Sequence, residues 1–159
     1  MATIADYIGR SVDVAAWTGQ QASGDTFVTP ALASPGNSGE VCTGIVKLMQ
    51  RWQLEFLTIS GTILFLPDRG CDFMYLLRSG QLQTTIDVEQ AFYLSASQVK
   101  LNLTAEDTPT TPLDEQLASV SLLSVTLSAD TLDLYVSLVS QAGESRVVIL
   151  PIQTSAPAD

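Results

Sequence analysis

Histidine is absent from this 159-residue chain. Its absence removes the Ser–His and Cys–His nucleophile systems and the commonest metal ligand. Charge is also scarce, at 15% of residues against roughly 25% in ordinary soluble domains. Lys and Arg number only 7 against 17 acids, for a net charge of −10. Recognition of a polyanion needs clustered bases, so nucleic acid is not expected as a direct partner. Four of the seven bases lie between Lys47 and Arg78, beside Glu55, Asp68 and Asp72; that window stands at +1 and the rest of the chain at −11. No apolar run approaches the roughly 18 residues of a membrane span, so no membrane role is expected. The start, Met1 to Asp6, lacks the basic residues and apolar run of a secretory signal. Cys42 and Cys71 are too few and too far apart for a zinc knuckle. Two buried thiols are expected, with a Cys42–Cys71 bridge as the alternative. Phosphate-loop, dinucleotide and calcium-loop signatures are all missing. The expectation is a chain with no metal and no cofactor.

Apolar residues, by contrast, are plentiful at 46%, and a chain of this length can bury about two thirds of its unfolded surface. Residues 1–40 read as an extended arm. Val12, Val14 and Ala16 alternate as in a short strand, and Thr18 to Gly39 is rich in Gly, Ser, Thr, Ala and Pro. That stretch holds too little apolar surface to order itself. It is either a flexible leader or a segment ordered by a neighbouring subunit. A domain follows over 41–152, and a disordered tail over 153–159.

Within the domain, Val41, Ile45, Leu48, Met49, Trp52, Phe56 and Leu57 recur at steps of three and four, predicting a helix capped by Ser38 and ending near Ser60-Gly61. Arg51 and Glu55 are spaced to pair along it. Thr62 to Leu66 reads as a short apolar strand, Pro67 to Gly70 as a turn with Gly70 at positive φ, and Phe73 to Leu77 as a short helix. A second long helix is predicted from Thr85 to Leu103, with Asp87 and Glu89 in its first turn. Alternation of Leu123, Val125 and Leu127 within Val120–Leu127, of Leu132, Leu134, Val136 and Leu138 with Asp133, Tyr135 and Ser137, and of Val147 and Ile149 with Arg146 and Val148 predicts an antiparallel three-strand meander. The fold class is therefore α+β, two main helices packed on one face of a small meander.

Carboxylate pairs are the only remaining source of chemistry. Asp68 with Asp72, Glu106 with Asp107, and Asp114 with Glu115 are close in sequence. A glycosidase needs two carboxylates facing each other across a cleft, usually from separate elements. Solvated or capping roles are expected for each pair, and the chain is not expected to be an enzyme.

The run from Gly44 to Thr58 (GIVKLMQRWQLEFLT), then Gly61, Pro67-Asp68-Arg69-Gly70 and Phe73, resembles the sheath-initiator, or baseplate-wedge, family of contractile phage tails, once labelled lysozyme-like. The resemblance spans roughly residues 44–152. It implies a structural virion protein of the tail baseplate, assembled in the host cytoplasm in several symmetric copies, with sheath subunits and wedge proteins as partners. It also implies a sheet that accepts strands donated by neighbouring subunits, by β-augmentation. A Glu-Pro-Arg element common in the family is replaced here by Leu113-Asp114-Glu115-Gln116. The expected protein interface comprises Asp68, Arg69, Gly70, Asp114 and Glu115, with the sheet edge at either Arg146, Val148 and Leu150 or Val120 to Leu127. A baseplate or adaptor protein of a non-contractile tail, or of a related injection machine, is the nearest alternative. The old family label adds a peptidoglycan hydrolase, for which Glu55 and Asp68 would be the acids.

Overall fold

The structure, a computed structural model, describes residues 10–14, 27–28, 41–128 and 130–154. Most of the predicted arm and the tail beyond residue 154 lie outside these. Three short strands come first: β1 (Asp13–Val14), β2 (Phe27–Val28) and β3 (Val41–Cys42). Helices α1 (Gly44–Leu57), α2 (Phe73–Arg78) and α3 (Thr85–Glu106) follow. The chain then forms β4 (Leu117–Leu127), β5 (Thr131–Ser140) and β6 (Ser145–Gln153). The last three strands are the antiparallel meander, so the α+β architecture stands. β2 adds to it in parallel outside β6, giving the order β2-β6-β5-β4, while β1 and β3 pair separately.

The alternation of β5 fixes which face of the meander meets the helices. Two expected faces are corrected: Val148 and Leu150, not Val147 and Ile149, face the core from β6, and a register shift in β4 brings Leu122 inward and turns Leu123 out. Leu132, Leu134, Val136 and Leu138 of β5 are fully buried, as is Val148 of β6, with Leu150 almost so. Against them lies one cluster containing Trp52 and Phe56 from α1, Phe73 and Leu77 from α2, and Val88, Phe92 and Val99 from α3. Phe56 is its centre, stacked on Trp52 at 4.9 Å between ring centroids and tilted against Phe73 at 4.8 Å and Phe92 at 5.4 Å. Such ring pairs contribute about 0.5–1.5 kcal/mol beyond area burial. The aromatic stripe of α1 is core, as its helical spacing implies.

Three local expectations are corrected. Ser38 lies outside the described residues, and α1 begins at Gly44 behind Thr43, with Val41 in a strand instead of on the helix. Arg51 and Glu55 do not pair with one another; each is drawn to a partner far along the chain. The segment Thr62 to Leu66 is not a strand. It is the outer part of a closed loop between α1 and α2, whose backbone bonds turn back on themselves (Thr62 N–H to Ile59 C=O, 3.2 Å; Leu66 N–H to Ile63 C=O, 3.0 Å). Five apolar residues between a Gly and a Pro-Asp turn are too short a run for periodicity to distinguish strand from loop.

α3 runs one turn past its predicted end, to Glu106. At its start, Thr84 and Asp87 form a reciprocal capping box, the Thr84 hydroxyl accepting from the Asp87 N–H at 3.2 Å and Asp87 Oδ2 from the Thr84 N–H at 2.9 Å. Cys42 and Cys71 are both free and buried, so no bridge joins them. Burial, aided by the nearby Asp13 charge, pushes the Cys42 thiol up to about 11, and burial raises Cys71 likewise.

Candidate assembly surface

Of the expected interface residues around Asp68 and Asp114, Gly70 and Glu115 are buried, Arg69 and Asp114 are half-buried and Asp68 is exposed. Glu115 is 1% exposed, and its two oxygens are both taken. Oε2 pairs with Lys47 Nζ at 2.8 Å, and Oε1 accepts the Gly44 N–H at 3.2 Å. Glu115 thus caps the N-terminus of α1 from 71 positions away, in place of the local serine, and its charge sits at the favourable end of the helix dipole. Next to it Asp114 pairs with Arg10 at 2.5 Å, a hydrogen bond that raises the Arg10 pKa and ties the arm to the domain.

On the far side of α1, Glu55 is 3% exposed and equally occupied. It pairs with Arg69 Nε (2.9 Å) and accepts from the Gly70 N–H (2.9 Å) and Asn102 Nδ2 (2.7 Å). Arg69 reaches on to Glu106, which also meets Arg51 at 3.3 Å; Arg51 in turn bonds Asp107 at 3.4 Å and the Glu115 carbonyl at 3.3 Å. Of the acids expected to be solvated or capping, Asp68 and Asp72 are exposed and Glu115 caps α1, while Glu106 and Asp107 are links in an ion-pair chain that fastens α1, the loop and the end of α3 together. A hydrolytic pair of Glu55 and Asp68 finds no support here, because Glu55 is locked in structural contacts. Gly70 takes φ +90°, and a Cβ there would run into the Thr58 carbonyl. That is the positive-φ role expected of it.

The two predicted sheet edges differ. At β6, Arg146 is exposed but Val148 and Leu150 point into the core. The outer side of this strand already carries β2, with Phe27 opposite Val147 and Val28 opposite Val148. At the other end of the sheet β4 pairs only with β5, and its outer side meets no strand among the described residues.

β4 runs for 11 residues, Leu-Ala-Ser-Val-Ser-Leu-Leu-Ser-Val-Thr-Leu, with neither a charged residue nor a proline. Its outward backbone groups follow from the register. Ser128 N–H donates to the Thr131 carbonyl at 2.8 Å, and bonded pairs recur at every second residue of an antiparallel ladder. Through the unbroken register from Ser124 to Leu127, the bonded pairs are then Ser124↔Tyr135 and Thr126↔Asp133. Val125 and Leu127 consequently turn their N–H and C=O groups outward. A register shift between Leu122 and Ser124 leaves Leu123 57% exposed. Nearer the strand's start, Lys100 covers the Ala118 carbonyl at 2.6 Å. The open part of the edge is therefore its second half.

Sequence reasoning missed the roles of Lys47 and Asn102 and gave Glu106 only a solvated or capping one, because their importance depends on long-range pairing that no local spacing signals. No protein-family profile matches the chain, and neither the curated proteins nor the solved structures contain a match to it. No described helix is long and apolar enough to cross a membrane, and no described group of three or more Cys, Asp or Glu could hold a metal.

Proposed function

We propose that this chain is a structural, non-enzymatic component of a phage tail baseplate that templates sheath or tail assembly, its sheet accepting a strand from a neighbouring subunit. The observation that supports this reading is the open edge of β4. Folded proteins usually protect a long edge strand with charges, proline or a covering element, because its free backbone groups are a template for another chain. This edge has none of the first two along its 11 residues. It belongs to a rigid support, since β5 behind it is buried at every second residue. Main-chain bonding to such an edge gives affinity, and the alternate side chains of the incoming strand give specificity.

The ion-pair chain serves the same end by holding the helices on the sheet's inner face, so that the edge is presented without rearrangement. The order of elements and the Pro67-Asp68-Arg69-Gly70 turn favour the sheath-initiator family over other assembly proteins. Mass spectrometry of purified tailed particles is the test. The chain should appear in a fixed ratio to the tail proteins, and particles with complete tails that lack it would refute the proposal.

A further inference from the structure

The largest feature left unused by this reading is the loop between α1 and α2. Its outer residues Ile63, Leu64, Phe65 and Leu66 are 40, 83, 87 and 55% exposed. Single exposed apolar residues are ordinary, but four in succession at a projecting tip are not. The tip is also built to hold its shape. At its base Cys71 N–H bonds the Thr58 carbonyl at 2.9 Å, and Gly61 N–H bonds that of Pro67 at 3.1 Å. Below these, Glu55, Arg69 and Asn102 clamp the Asp68–Gly70 stem. So a largely buried ionic network supports an apolar knob whose own side chains stand outside the core cluster.

A second apolar surface lies beside it. α3 buries one face, but its outer face exposes Ile86, Tyr93, Leu94 and Leu101 at 63, 51, 74 and 66%. Steps of seven, one and seven keep these within one stripe at 3.6 residues per turn. The knob and stripe are neighbours. Asn102, next to Leu101, donates to the carbonyls of Asp68 and Gly70, and Leu94 lines a groove of about 380 Å³ with Ser60 and Asp68 of the loop.

We infer that knob and stripe together form a two-fold contact with a second copy of this chain, each Leu64–Phe65 tip lying on the partner's α3. Two features select that occupant. The first is charge: on a chain at −10, residues 58–67 and the four stripe residues carry none, and the acids Asp68 and Asp72 lie in the groove between knob and stripe. Copies of such an acidic chain meet with less repulsion through these uncharged side chains than through the acidic remainder of the surface. The second is area. At roughly 60–120 Å² of apolar surface per large side chain, eight side chains at these exposures offer on the order of 500 Å² per copy. That matches the apolar share of a standard interface, about 56–65% of some 800 Å² per partner. Because knob and stripe sit side by side on one surface, a two-fold axis satisfies both at once, as an isologous interface requires. This deepens the assembly reading by naming the surface through which copies associate, and it uses no part of the β4 edge.

Sedimentation velocity of the full chain across micromolar concentrations tests it. The expected result is a reversible dimer. Phe65→Asp and, separately, Leu101→Asp should each weaken it on the order of 30-fold or more, with unchanged melting since both side chains are exposed. A chain that stays monomeric overturns the inference, as does either variant dimerising like the wild type. Monomeric protein that binds phosphatidylcholine vesicles through Phe65 would assign the knob to lipid and overturn it too. A Val125→Pro variant should dimerise normally, so that loss of this contact and loss of strand docking at β4 are read separately.

Discussion

Two proline substitutions, one at each side of the meander, should have opposite consequences. Val148 lies in β6 opposite Val136. Ser140 N–H donates to the Glu144 carbonyl at 2.8 Å and Thr154 N–H to that of Asp130 at 3.0 Å, and the register between these ends is unbroken. Val136↔Val148 is an even number of residues from both, so it is a bonded pair and the Val148 N–H points into the sheet. Val148→Pro removes that donor and leaves the Val136 carbonyl unmet at a fully buried position, at about 1–3 kcal/mol. The ring's clash with the ladder adds to this, for a total of about 3 kcal/mol or more. Against a typical stability of 5–15 kcal/mol, the isolated domain should melt well below the wild type. Val125→Pro is different. Its N–H faces outward from β4, so no internal bond is lost and melting should move little. Denaturant unfolding of both proteins, with a count of assembled tails, reads the contrast. A domain destabilised equally by both would refute the register reasoning; normal tails from Val125→Pro would refute strand docking at β4.

Other consequences follow from the buried charges, the loop and the thiols. Lys47→Met leaves Glu115 without its counter-charge at 1% exposure and should cost about 3–5 kcal/mol by chemical denaturation. Glu115→Leu added to it should cost less than the sum of the two, since the partners act as a pair. Gly70→Ala places a Cβ against the Thr58 carbonyl at positive φ and should destabilise by about 1–3 kcal/mol or more, with the melting temperature as readout. Both thiols should resist a disulfide reagent in the native protein and react after unfolding, two per chain. Because the folded state raises the Cys42 pKa to about 11 from about 9, the folded protein holds its proton longer than the unfolded one. Its contribution is complete below pH 9 and is lost as pH rises toward 11.

The elements with strong periodicity are legible in the amino-acid sequence itself. α1, α3 and the meander follow from spacings of three to four and of two. The buried faces of α3 and β5 are the expected ones, whereas a register shift turns Leu123 of β4 outward and Val148 and Leu150, not Val147 and Ile149, are the buried face of β6. Local pattern does not convey pairing across the chain. Arg51 and Glu55 are ideally spaced to meet on one helix turn, yet each gains more from a distant partner in a partly buried site. Glu115 reads as a loop acid because nothing nearby shows that it caps a helix start 71 residues before it. The apolar run from Ile63 to Leu66 reads as core for the same reason: hydrophobicity predicts burial only if something lies above it. The two candidate edges are equivalent by residue pattern, and β2 on one of them decides for the other.

Hydrogen–deuterium exchange at β4 tests the central claim most directly. In the free protein, the outward amides of Val125 and Leu127 should exchange quickly while those of Ser124 and Thr126, bonded to β5, exchange slowly. In assembled tails the account predicts that Val125 and Leu127 become protected as a neighbour's strand takes up their donors. Rapid exchange at both amides in intact tails would contradict it.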